Sequence, residues 1–109
     1  MFKIAVLVSG SGSNLQAIID NIESGNLNCS IEAVISDKKD AYGIDRAKAK
    51  NIKTFILDRK QYGKNISAEI LKILDGKVDL IVLAGFLSIL QGELLSVFKG
   101  KIINIHPRS

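Results

Sequence analysis

An α/β fold, with a parallel sheet covered by helices on both faces, is predicted by three observations. Apolar runs of strand length alternate with stretches of helical period, which is the order of βαβ units. The runs are continuously apolar rather than alternating, as in Leu80-Ile81-Val82-Leu83-Ala84, so both faces of the sheet must be covered. A glycine-rich turn joins the first run to the first helix, the connection from which such sheets are wound.

In chain order, strands are predicted at Lys3–Ser9, Ile31–Ser36, Lys53–Leu57, Asp79–Ala84 and Ile102–Ile105. The first helix follows from Leu15, Ile18, Ile19 and Ile22 at i, i+3, i+4, i+7, with Ser13 as N-cap and Gly25 just beyond its end. A weakly periodic second helix is placed near Tyr42–Lys50. Ile66, Ile70, Ile73 and Leu74 mark a third, stopped by Gly76, and Glu93–Phe98 a short fourth. There is no repeat and no linker, and 109 residues suit one domain with one core.

Composition narrows the class. Apolar residues are 47% and charged residues 24%, with one proline, so disorder is not expected. The opening apolar run Ile4–Val8 is too short for a secretory signal and no run approaches the ~20 residues of a membrane helix, so a soluble protein without a membrane partner is expected. Cys29 is the only cysteine, which excludes an internal disulfide, and no Cys/His spacing suggests a metal. A reducing, cytoplasmic setting fits. The net charge of +4 is spread over lysines such as Lys38, Lys39, Lys48, Lys60 and Lys99, without a basic block interleaved with aromatics, which argues against a nucleic-acid partner.

The turn Ser9-Gly10-Ser11-Gly12-Ser13-Asn14-Leu15 carries the first chemical signal. Glycines there permit positive φ and close approach, and the first N–H groups of the helix lack intrahelical acceptors, so a phosphate fits. No Gly-Lys-Ser/Thr is present, and Leu15 stands where a dinucleotide-binding turn has its third glycine, so a monophosphate is favoured. Two alternatives stay open: a tight turn with no ligand, and a nicotinamide-dependent oxidoreductase with Asp37 on the ribose.

Asn104 and His106, one residue apart on the last strand, project from one face at the end where open sheets bind ligands, and Pro107 ends the strand. An amide donor beside an imidazole suits acyl transfer: the amide stabilises an oxyanion while the imidazole moves a proton. The competing reading is a hydrogen-bonded histidine without a catalytic part. A Ser/His/Asp triad is disfavoured because neither Ser11 nor Ser13 has the spacing of a nucleophile elbow.

Together, Val6–Ile18, the stretch Leu83-Ala84-Gly85-Phe86-Leu87-Ser88-Ile89-Leu90, and Ile103-Asn104-Ile105-His106-Pro107 resemble the phosphoribosylglycinamide formyltransferases. The resemblance implies a Rossmann-like sheet of the formyltransferase N-terminal type, with residues 1–109 as the phosphoribosyl-substrate-binding domain. It implies transfer of a formyl group from 10-formyltetrahydrofolate to the amine of 5-phosphoribosylglycinamide, in purine synthesis and without a metal. Gly12, Ser13 and Asn14 are implied to contact the phosphoribosyl group. Leu87, Ser88, Ile89 and Leu90 are implied to line the folate pocket, with Lys64 and Asn104 also toward the folate. At Ser88 the family often carries arginine. Asn104 and His106 match the catalytic asparagine and histidine; the family's catalytic aspartate belongs to a C-terminal half. Because Arg108-Ser109 follow Pro107 where the family continues Ser-Leu-Leu-Pro, the domain is expected to be truncated, the C-terminal half absent, and the unfinished sheet prone to self-association. A non-catalytic, substrate-binding remnant is the corresponding alternative.

Overall fold

The computed structural model of the chain describes residues 1–105; His106 and Pro107 lie outside the described residues. Five strands, β1 (Phe2–Val8), β2 (Cys29–Ser36), β3 (Thr54–Ile56), β4 (Leu80–Ala84) and β5 (Ile102–Ile105), form one parallel sheet in the order β3-β2-β1-β4-β5. Every strand read from the apolar runs is present, displaced by at most two residues at either end. The pairing of β1 with β2 shifts register between Ile4 and Ala5, where β2 passes from Ile31 to Ala33 and leaves Glu32 as an extra, exposed residue.

The order explains the continuous apolar runs. From β1 the chain winds outward through α1 (Ser13–Glu23) and α2 (Tyr42–Ala49), which cover one face; it returns to β4 and β5 with α4 (Ile66–Leu74) and α5 (Glu93–Val97) on the other. Central β1 therefore splits its side chains between two cores. Ile4, Val6 and Val8 pack with Leu15, Ile18, Ile19 and Ile44, whereas Ala5 and Leu7 pack with Ile66, Ile70, Leu74 and Leu94. A strand buried on both faces cannot alternate in polarity.

Helix ends follow the glycine signals, with one correction. Gly25 (φ 85°) follows α1 and Gly76 (φ 75°) follows α4, each in the left-handed region that ends a helix at little cost for glycine. Ser13, however, is the first residue of α1 and not its cap. Gly12 occupies the cap position at φ 74°, and no side chain caps the helix. A short helix, α3 (Arg59–Tyr62), running into a 3₁₀ turn at Gly63–Asn65, has no counterpart in the sequence reading; it buries no residue, so no apolar period announces it. Among the described residues, no helix is long and apolar enough to cross a membrane.

Candidate functional site

In this strand order the chain leaves β1 toward one side for β2 and comes back on the other side for β4, so the crevice between the carboxyl ends of β1 and β4 is the topological switch point at which open sheets bind ligands. The glycine-rich turn lies directly after β1, and the loop carrying Leu87–Leu90 directly after β4. Leu7, Leu83 and Asn104 occupy one transverse row of the sheet, so Asn104 stands two strands from β1, roughly 10 Å away at normal strand spacing.

The turn is shaped by α2. The Gly43 N–H donates to the Gly10 carbonyl at 3.0 Å, and Arg46 Nε donates to the Ser11 carbonyl at 2.7 Å. A Cβ on Gly12 would lie 2.5 Å from Gly43 Cα, so glycine is required at 12 by its left-handed φ and by contact with α2. Gly10, by contrast, has open space around it and no positive φ. The N–H groups of Gly12, Ser13 and Asn14 have no acceptor among the described residues, while the Gly12 carbonyl already accepts the first helical bond, from Gln16 N–H at 2.8 Å. Three adjacent donors at a positive helix end make an anion cradle.

The loop after β4 is held by a polar network with a buried carboxylate at its centre. Asp37, fully buried just beyond β2, accepts from Ser9 Oγ at 2.6 Å, from Ser88 Oγ at 2.6 Å and from the Ser88 N–H at 3.1 Å; Arg59 Nε lies 3.6 Å away. Ser9 Oγ in turn accepts the Leu87 N–H at 2.8 Å. Farther along, the Gln91 N–H donates to buried Ser67 Oγ at 3.0 Å. Asp37 is thus wholly engaged with the protein, which removes it as a ribose ligand and with it the feature that favoured a nicotinamide cofactor.

Pinned at both ends, the loop alternates. Leu87 and Ile89 point outward, 66% and 82% exposed, whereas Phe86 and Leu90 pack into the core under α4 and α5. Leu87, Ser88 and Ile89 come together with Lys64 and Arg59 around a groove of about 410 Å³. Leu90 is not among the residues that line this groove, since its side chain packs against the core. The Leu87 and Ser88 N–H groups are taken up by Ser9 and Asp37 within the protein. Asn104 is exposed on β5, and His106 lies outside the described residues. Among the described residues, no cluster of His, Cys, Asp or Glu could hold a metal ion.

The residues missed from sequence are those that hold the site: Gly43 and Arg46 on α2, and the Ser9–Asp37–Arg59 network. Asp37 carried a signal as an acidic residue after the second strand, and Ser9 as the first residue of the glycine-rich turn, but neither showed its role in holding the loop after β4.

A family model described as formyl transferase matches residues 2–108. The phosphoribosylglycinamide formyltransferase of Haemophilus influenzae is 47% identical over 98% of this chain and 52% of its own length, and that of Dictyostelium discoideum 43% identical over 97% and 59%. The crystal structure of glycinamide ribonucleotide transformylase 1 from Geobacillus kaustophilus superposes with a TM-score of 0.91 at 39% identity, over 98% of this chain and 58% of that one. This chain spans about half the length of these relatives. Strand order, the turn after β1 and the loop after β4 thus coincide with a match that runs almost from end to end, and the chain belongs to the formyl transferase family.

Proposed function

We propose that this chain is the N-terminal, phosphoribosyl-binding domain of a phosphoribosylglycinamide formyltransferase, which moves the formyl group of 10-formyltetrahydrofolate to the amine of 5-phosphoribosylglycinamide in purine synthesis, in the cytoplasm. The observation that carries the reading is the row of N–H groups at Gly12, Ser13 and Asn14 without an acceptor among the described residues, set at the switch point of a formyl transferase sheet. A phosphate monoester supplies the acceptors that these donors lack.

In this reading the folate lies along the groove beside Lys64, Leu87, Ser88 and Ile89, with Leu90 contributing its backbone. The substrate amine attacks the formyl carbon, and negative charge develops on the formyl oxygen. Asn104 donates to that oxygen, an interaction that strengthens as the tetrahedral intermediate forms. His106 takes a proton from the attacking nitrogen, which becomes an amide as the tetrahydrofolate nitrogen leaves protonated. The family resemblance adds an aspartate, from the C-terminal half, that orients the histidine.

Titration with 5-phosphoribosylglycinamide, followed by backbone amide NMR, tests the assignment. The Gly12, Ser13 and Asn14 resonances should shift together and saturate, and a nicotinamide dinucleotide should leave them unmoved. Saturable binding of the dinucleotide at these amides, with none of the ribonucleotide, would refute the reading.

A further inference from the structure

The cradle is not set by the glycine turn alone. Two consecutive carbonyls, of Gly10 and Ser11, are held on α2 by the Gly43 N–H and by Arg46 Nε. No peptide bond among the described residues is cis, so each N–H points opposite to the carbonyl of its own peptide unit. Holding the Gly10 and Ser11 carbonyls on α2 therefore directs the Ser11 and Gly12 N–H groups away from it. Gly12 is a buried residue whose N–H has no acceptor among the described residues, a donor for a ligand or water to take.

Arg46 is built for this task. Besides the bond to Ser11, one of its terminal nitrogens donates to Gln16 Oε1 at 3.3 Å, and its guanidinium lies 4.8 Å from the centre of the Tyr42 ring. The side chain is thus fixed between the first turn of α1 and the start of α2. Among the described residues no carboxylate pairs with it, unlike Arg59, Lys50 and Lys72. An unneutralised guanidinium beside the turn adds to the positive field of the helix end.

We infer that Arg46 is the positioning residue of the phosphate site: it fixes the Ser11–Gly12 peptide so that the Gly12 N–H is presented to the anion. This rests on the phosphate reading above and adds a residue to it. Without the Arg46 bond that peptide is free to turn over, which would place a carbonyl where the anion needs a donor.

The probe is inorganic phosphate, titrated into the chain and into its Arg46→Met and Arg46→Lys variants, with the amides of Gly12, Ser13 and Asn14 followed by NMR. Met removes the donors and keeps much of the apolar length; Lys keeps the charge without the planar fork. Phosphate affinity should fall about tenfold or more in Arg46→Met, the scale of one charge-assisted hydrogen bond, and less in Arg46→Lys. The Gly12 shift should shrink more than that of Asn14, a pattern that general loosening of the fold would not produce. A wild-type measurement serves even where a variant fails to fold: the Arg46 Nε–H resonance should follow the same saturation curve as the Gly12 N–H. Wild-type binding with unchanged affinity in a folded Arg46→Met protein, or an Arg46 resonance blind to phosphate, overturns the role of Arg46 alone. Absence of any phosphate response in the wild-type chain overturns the phosphate reading and this inference with it.

Discussion

At the scale of the residue, the two glycines of the turn separate conformational need from mere turn composition. Gly12 combines φ 74° with a virtual Cβ 2.5 Å from the Gly43 backbone, whereas Gly10 has neither constraint. Gly12→Ala should destabilise the fold by about 2–3 kcal/mol through backbone strain and overlap, while Gly10→Ala should stay within ~0.5 kcal/mol of the parent. Urea denaturation of both variants checks this, and equal midpoints would show that α2 yields to the added methyl. Sequence exposed the turn because its signal is local, a strand, two glycines and a helix in succession within residues 2–23. It did not expose Arg46 or the engagement of Asp37, since these bonds join positions 35, 28 and 51 residues apart, which only the folded sheet brings together.

At the scale of the element, the loop between β4 and α5 takes its shape from Asp37 more than from its own sequence. The short hydroxyl of its Ser88 turns inward to the buried carboxylate. Asp37→Asn exchanges one acceptor oxygen for an NH₂: toward Ser88 and Arg59 it meets an amide N–H and a guanidinium that only donate, and toward Ser9 it can be accepted only if that hydroxyl gives up its own donation, so part of the network must be left unmade. A loss of about 2–3 kcal/mol is expected, with hydrogen exchange at the Leu87 and Ser88 amides accelerated well before that of the β1–β4 ladder. Exchange unchanged at those two amides would show that the loop is held by its apolar contacts alone. The elements themselves were legible to the degree that burial imposed a pattern. Doubly covered strands and the apolar stripes of α1 and α4 announced themselves. In α2 the buried positions include only Gly43, Ile44 and Ala47, so its period is faint, and α3 buries nothing and left no trace.

At the scale of the whole molecule, the described parts of the site are gathered on one open surface. Asn104 is exposed, and so are Leu87 and Ile89 beside the groove. An oxyanion donor stabilises a transition state strongly where water is excluded, because solvent both screens the charge and competes for the hydrogen bond. The proposed phosphate cradle has no such requirement, since its donors, its helix end and Arg46 belong to the turn after β1 and to α1 and α2, which share one buried core with β1 among the described residues. Binding and turnover should therefore separate. The 109-residue chain is expected to bind the ribonucleotide with its turn amides responding, yet to transfer formyl groups several powers of ten more slowly than a protein that also carries a C-terminal half like those of its relatives. In that longer protein, Asn104→Ala should lower turnover about a hundredfold while ribonucleotide affinity changes little. Both proteins are to be assayed for folate-dependent formylation with the substrate affinity measured in parallel. Turnover by the 109-residue chain equal to that of the longer protein would mean that this surface excludes water without further cover, and that the catalytic groups lie elsewhere than on β5.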